Sequence, residues 1–460
     1  MAPMRLLRDR AMSSGFVRAT AILVSGTAGA HLITAAAMPL LSRLFDPAEF
    51  GTLAVFAGLV GTVAVAACLR YEVAIALPES DADAFGLLIL SLLCAAAFSL
   101  LTCGFVAVGA GWIAAVTEQQ ALRQGAWLIP IGVFAAAACS ALQNWTIRNR
   151  NYGLLARVRV GQSLVGSGLQ VGGGLGGVGA MGLLAGNIAN AGVAVIYLGY
   201  RLAPRVHGLA HGLSGSNLRR LALRYRRFPV YSTWEALANS AAIHIPVVLI
   251  ATVATASEAG YLMLATYVIQ APMSLIGSAV GQVYLSEAPE AHRQGDLGRY
   301  TVTVMRRLAA SGVGPLVAIG IVAPPTFGAI FGDEWERAGW LVAWMTPWFI
   351  MQFLASPVSM SLHVTGRQRT AMTLQLSAFL ARVCAVWLAS RLWVGSVGEA
   401  YALSGFVVYS AYLLAVMKVV GGSRQQWLGV LGTATRWALL WAAAAAVLVV
   451  VMRAWFDVNG

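Results

Sequence analysis

The sequence predicts an all-α, polytopic membrane protein of about 12–14 transmembrane helices, and three observations carry that prediction. Hydrophobic residues make up 59% of the chain and charged residues only 11%, with a mean hydropathy of +0.74. A water-facing domain averages about a quarter charged residues, so most of this surface must face hydrocarbon. Thirteen apolar runs are long enough to span, near 17–41, 50–70, 84–109, 126–145, 154–176, 179–200, 233–254, 260–283, 307–331, 338–362, 370–393, 397–420 and 436–453. The basic residues then divide sharply between the two sets of connections.

The first run follows Arg5, Arg8 and Arg10, a pattern shared with signal peptides. From Phe16 to Leu41 it exceeds the 7–15 apolar residues of a signal-peptide core, so it is expected to remain as a membrane helix. With the N-terminus placed inside, 25 of the 31 Lys and Arg residues fall in inside connections. Arg43, Arg123, Arg337, Arg391 and Arg453 fall outside, and Arg382 lies within a run. That asymmetry is the positive-inside signature and predicts a cytoplasmic N-terminus. The formal charge of +13 does not indicate nucleic acid, because the arginines form no continuous basic face. The five cysteines, Cys68, Cys94, Cys103, Cys139 and Cys384, lie in apolar runs and suggest neither disulfides nor a metal site.

Arg201 to Ser232 is the longest hydrophilic stretch and divides the chain. The expected organisation is a six-helix lobe over 1–200, a basic cytoplasmic loop over 201–232, a second six-helix lobe over 233–420 and an additional helix within 421–460. An internal echo supports two related halves: Ala48-Glu49-Phe50-Gly51-Thr52-Leu53 and Ser257-Glu258-Ala259-Gly260-Tyr261-Leu262, 209 positions apart. Six crossings per half make these parallel repeats, a feature of transporters. Gly168, Gly172, Gly173, Gly174, Gly182 and Gly186 crowd the fifth and sixth runs, where glycine permits close approach or local unwinding. Asn217 to Phe228 reads as a basic amphipathic helix whose face of Leu218, Leu221, Tyr225 and Phe228 would rest on the anionic leaflet, or which acts only as a topology signal.

The stretch Leu44-Phe45-Asp46-Pro47-Ala48-Glu49-Phe50-Gly51, followed by Arg70-Tyr71-Glu72 and Ala74-Ile75-Ala76-Leu77-Pro78, resembles the opening of bacterial polysaccharide biosynthesis membrane proteins. These are lipid-linked oligosaccharide flippases of the multidrug/oligosaccharidyl-lipid/polysaccharide (MOP) exporter superfamily. The motifs cover roughly residues 18–90; beyond them the likeness rests on the six-plus-six layout and the basic central loop. The resemblance implies two MATE-like lobes around a central cavity in the bacterial inner membrane. Its implied cargo is an undecaprenyl-diphosphate-linked sugar unit for O-antigen, capsule or exopolysaccharide. Implied partners are the membrane lipids and the polymerase and glycosyltransferases of the same pathway. Glu49, Gly51, Arg70, Tyr71 and Glu72 are the family-motif positions.

A flippase needs cations or hydrogen-bond donors at membrane depth rather than a catalytic constellation, so no enzyme activity and no cofactor are expected. Arg382, central in the eleventh run, would cost about 2.5–3.5 kcal/mol to insert unless it meets a cavity or partner. Ligand contact, pairing with carbonyls or Gln375, and a misplaced boundary remain open for it. Arg157 and Arg159 stand at the inner mouth of the fifth run, and Arg159, Gln162, Gly166 and Gln170 share one helical face. Asn187 and Gln352 complete the candidate substrate-binding set; with Asn190 and Gln270 they read first as interhelical hydrogen-bonding groups and only second as substrate contacts. His31 and His244 are the candidate proton-coupling groups should an H⁺ rather than a Na⁺ gradient drive transport. Arg70 and Glu72, two apart, are expected to point to different sides of a helix and not to pair. Rival readings are a cation-coupled multidrug exporter, a peptidoglycan-precursor flippase and a membrane polymerase or ligase.

Overall fold

The computed structural model describes residues 2–117, 120–210 and 214–459. The side chains of Arg5, Arg8, Arg10, Arg18, Arg205 and Arg453, which enter the charge distribution, lie outside the described residues. Every regular element among the described residues is helical. In chain order they are α1 (Ala2–Leu44), α2 (Pro47–Ala67), α3 (Tyr71–Ala74), α4 (Asp81–Thr117), α5 (Gln120–Gly125) and α6 (Leu128–Arg148). Then come α7 (Tyr152–Leu175), α8 (Ala180–Ala210), α9 (Gly215–Arg224), α10 (Thr233–Val253), α11 (Ala256–Arg293) and α12 (Leu297–Leu308). The last six are α13 (Gly314–Phe331), α14 (Glu336–Ala355), α15 (Ser361–Val364), α16 (Gln368–Leu392), α17 (Val397–Val420) and α18 (Arg424–Asn459).

Among the described residues, eleven helical stretches are long and apolar enough to cross a membrane, Arg424–Met452 near the C-terminal end being one. The expectation was thirteen. Of the other two, α7 is of spanning length but carries Arg157, Arg159, Gln162 and Gln170, and the run expected over 260–283, within α11, includes side chains outside the described residues. The run expected over 338–362 stops at Ala355, because Pro357 supplies no amide to continue the ladder. The run expected over 307–331 starts earlier, as α12 joined to α13 through a π-helical turn at Ala309–Val313.

The chain forms two compact units. One comprises Met1–Phe45 and Thr52–His244; the other comprises Asp46–Gly51 and Ile245–Gly460. In the first, α7 and α8 pack closely because Gly173 and Gly182 meet backbone to backbone, a Cβ on Gly173 falling 2.7 Å from the Gly182 Cα. Both helices continue unbroken, so these glycines serve close approach and not unwinding; Gly168 and Gly172 face open space. Phe56 and Val60 of α2 fill the space over Gly132 of α6, and Phe85 meets Trp145 edge-on at 5.9 Å. At the end of α6, Arg148 donates to the carbonyls of Ile75 (3.3 Å), Pro78 (2.6 Å) and Glu79 (3.3 Å) and pairs with Asp81 at 3.0 Å. One side chain thereby ties down the turn between α3 and α4.

The internal echo has a local physical basis. Asp46 caps α2 by accepting from the Glu49 amide (2.8 Å), while Glu49 accepts from the Asp46 amide (3.0 Å), a reciprocal capping box with Pro47 opening the helix. In α11 Thr255 accepts from the Glu258 amide at 3.1 Å, again cap to third residue, with Gly260 at the place of Gly51. The Glu258 carboxylate does not turn back. It joins Glu399 around Arg337, whose Nη2 lies 2.9 Å from Glu258 Oε1 and 2.8 Å from Glu399 Oε2. The two starts also meet: a Cβ on Gly260 would overlap the Pro47 carbonyl and fall 3.0 Å from the Gly51 amide. Phe50 is buried there, edge-on to Trp335 at 4.9 Å, and Tyr261 packs on the same indole at 5.9 Å. Finally α18 is seated on α13 where Trp441 lies against Gly314.

Candidate functional site

Polar groups at membrane depth gather at two places, one in each unit. In the first unit the Arg159 guanidinium of α7 donates to Thr27 Oγ1 of α1, and His31, one turn after Thr27, is exposed. Arg159 has no carboxylate partner among the described residues. Arg157, two positions earlier, is exposed and donates only to the Gly153 carbonyl at 3.3 Å.

The rest of the α7 polar face is engaged by the protein itself. The Gln162 amide donates to Asn190 Oδ1 (3.5 Å), and Asn190 donates back to the Gln162 carbonyl (3.1 Å), across the α7–α8 contact where Gly166 lies against Asn190. Gln170 donates to the Leu183 carbonyl at 3.3 Å. The structure therefore separates the expected stripe into a cation, Arg159, turned toward α1 and two amides that join α7 to α8. Asn187 is half-buried one turn before Asn190. His244 of α10 lies in this unit too, its ring against Gly61 of α2, beside Ser240, which donates to the Gly61 carbonyl at 3.1 Å.

In the second unit Arg382 is 8% exposed near the middle of α16. Its guanidinium carbon lies 4.9 Å from the centre of the Trp348 ring and 5.5 Å from that of Tyr409. Trp348 is held in turn by Tyr401, edge-on at 5.1 Å, and by Gly405, whose missing side chain admits the indole. A desolvated cation–π contact is worth about 2 kcal/mol, so two rings together are enough to offset the roughly 2.5–3.5 kcal/mol insertion cost of the charge. They do not satisfy its donors. Arg382 Nε, Trp348 Nε1 and Ser410 Oγ, on three neighbouring helices, are buried with no hydrogen-bond partner among the described residues. Gln352, half-buried, lies one turn after Trp348 on α14. Sequence reasoning missed the aromatic partners, although Trp340, Trp344 and Trp348 recur every fourth residue on α14.

The family-motif residues sit apart from both places. Leu69 and Arg70 adopt left-handed backbone, φ 51° and 60°, so the chain reverses directly after α2. Arg70 is consequently outside any helix, and its Nη1 reaches Glu72 Oε1 at 3.2 Å. This corrects the expectation that the two would not pair: the helical-wheel argument fails where the backbone is not helical. Burial pushes the Glu72 carboxyl above its ordinary range, with Arg70 pulling in the other direction. Tyr71, buried, donates to the Ala222 carbonyl of α9 at 3.2 Å. Among the described residues every Asp or Glu lies within about two turns of a helix end or in a connection, and no His/Cys/Asp/Glu cluster could hold a metal.

Residues 40–339 match the family model described as polysaccharide biosynthesis protein. No curated protein sequence matches the chain significantly. Among solved structures, the lipid II flippase MurJ in an inward closed conformation aligns with a TM-score of 0.66 at 11% identity, over 95% of this chain and 99% of that one. An inward-facing multidrug resistance MATE family transporter of the MOP superfamily aligns with a TM-score of 0.57 at 14% identity, over 86% and 94%. The eukaryotic MATE transporter AtDTX14 follows with a TM-score of 0.56 at 14% identity, over 92% and 100%. The fold is therefore that of MurJ and the MATE transporters.

Proposed function

This chain belongs to the polysaccharide biosynthesis protein family, and we propose that it is a flippase for lipid-linked oligosaccharide. The cargo is an undecaprenyl-diphosphate-linked repeat unit, moved across the bacterial inner membrane with the N-terminus of the protein cytoplasmic. The observation that carries this reading is the sign of the charge at depth. Arg159 and Arg382 stand inside the two units without a carboxylate, and the donors around Arg382 lack acceptors. Such an interior attracts a diphosphate and repels the cationic drugs of a multidrug exporter. Transport of this kind makes and breaks no covalent bond, so the protein is not an enzyme. An H⁺ or Na⁺ gradient supplies the energy, with His31 and His244 as the protonating groups in the first case. A polymerase and glycosyltransferases of the same pathway act on either side of the step.

Deletion followed by leaflet-resolved analysis of undecaprenyl-linked intermediates tests the proposal. Oligosaccharide-bearing lipid should accumulate on the cytoplasmic side; no accumulation refutes the flippase reading, and accumulation of peptidoglycan precursor instead reassigns the cargo. Arg382→Gln keeps much of the side-chain volume without the charge and should lower export at least about tenfold, with Arg382→Lys retaining part of it. Normal export by a well-expressed Gln variant removes Arg382 from the path.

A further inference from the structure

The basic helix α9 is docked in the reverse of the expected sense. Its apolar face does not rest on lipid: Leu221 is fully buried with Leu218 beside it, over Gly86 of α4. Two polar ties fix the helix in place. Tyr71 holds the Ala222 carbonyl, and Arg220 pairs with Asp83 at 2.6 Å. Ser214 caps the helix by accepting from the Asn217 amide at 3.1 Å. With that face occupied, the opposite one turns outward. Arg219 and Leu223, one turn apart, lie on that outer face, and Arg226 and Arg227 follow in the turn that ends α9. All four are exposed, and the three arginines have no acidic partner among the described residues. Immediately beyond, Val230, Tyr231 and Trp234 are 54%, 70% and 68% exposed at the start of the spanning stretch Phe228–Val253. Aromatic and apolar side chains directly below unpaired arginines mark the headgroup level of a bilayer.

We propose that Arg219, Arg226 and Arg227 form a rigid binding surface for anionic phospholipid headgroups, and that Tyr71 of the family motif serves to hold that surface in place. Docking makes the difference from a generic basic loop: Arg219 is presented on a helix already fixed to the protein, and Arg226 and Arg227 in the short turn between that helix and the spanning stretch, so little ordering accompanies binding. The choice of the cytoplasmic leaflet rests on the orientation proposed above; the cargo plays no part. Each arginine near an anionic surface contributes about a five-fold gain in affinity, so loss of all three should weaken binding on the order of a hundred-fold.

The test uses the purified full-length protein, titrated in detergent with phosphatidylglycerol or phosphatidylcholine and read by native mass spectrometry. Wild type is compared with Arg219→Gln/Arg226→Gln/Arg227→Gln and with a control, Arg123→Gln/Arg391→Gln, each required to be monodisperse with unchanged thermal stability. The expected result is a large, selective loss of phosphatidylglycerol binding in the triple variant alone. Equal binding by wild type and triple variant overturns the proposal, as does an equal loss in the control. Impaired export in cells with unchanged phosphatidylglycerol binding also overturns it, in favour of an acidic protein partner. Normal oligosaccharide export alongside lost lipid binding supports it, so its fate is separate from that of the flippase reading.

Discussion

Replacing Arg337 with Met isolates the ion cluster that joins α11, α14 and α17. Arg337 donates to both carboxylates, at 2.9 Å to Glu258 and 2.8 Å to Glu399, and its Nη2 also reaches the Gly395 carbonyl at 3.4 Å. The carboxylates are only 12% and 17% exposed, the arginine 30%. Removing one partner of a buried ion pair costs about 3–5 kcal/mol, chiefly because the charges left behind lose compensation. Here partial exposure lets water screen them, which brings the figure to about 2–3 kcal/mol. At about 2–4 °C per kcal/mol for a unit of this size, the thermal midpoint of the second unit should fall by about 4–12 °C. Fluorescence-detected size exclusion after heating, in one detergent, reads that shift. The loss lies in the orphaned carboxylates and not in the missing arginine. Arg337→Met combined with Glu258→Gln and Glu399→Gln should therefore recover to within about 1 kcal/mol of wild type. A triple variant as unstable as the single one, or a single variant with an unchanged midpoint, refutes the reasoning.

Gly260→Ala should destabilise by about 1–3 kcal/mol, because its Cβ meets the backbone of Pro47 and Gly51, which cannot swing aside as a side chain would. Gly277→Ala on the same helix, with open space around it, is the matched comparison; equal midpoints for the two variants contradict this account. Glu72→Gln addresses pH. Burial raises the Glu72 carboxyl above its reference of 4.5, so the folded protein holds this proton more firmly than the unfolded chain. Its contribution to stability is present below pH 4.5 and is lost as pH rises through the raised value. Thermal midpoints measured across this range should thus fall with rising pH more steeply in wild type than in Glu72→Gln; parallel curves exclude it.

The membrane class, nearly all the helices and the family motif were legible from composition, apolar run length and a few short strings. These properties depend on residue type and local order alone. The echo between Glu49-Phe50-Gly51 and Glu258-Ala259-Gly260 was legible as a string, and its meaning as two side-chain-capped helix starts, only the first closed into a reciprocal box, also follows from local chemistry. That the same two strings touch was not, since a glycine in a sequence does not say which backbone approaches it. The pairing of Arg70 with Glu72 was misjudged for a related reason: two left-handed residues break the helical spacing on which the inference relied. The direction in which α9 docks was equally hidden, because a heptad-like apolar face fits lipid and protein alike.

The sequence by itself determined that this chain lives in a membrane, that basic charge is distributed unevenly between its connections, and that arginine stands at depth without nearby acid. Hydropathy and charge are properties of residues, and the bilayer reads them one segment at a time. Only the tertiary structure decided what surrounds those arginines: Thr27 beside Arg159, and Trp348 and Tyr409 around Arg382. These neighbours come from helices far apart in sequence, and their approach is set by packing, which local sequence does not encode.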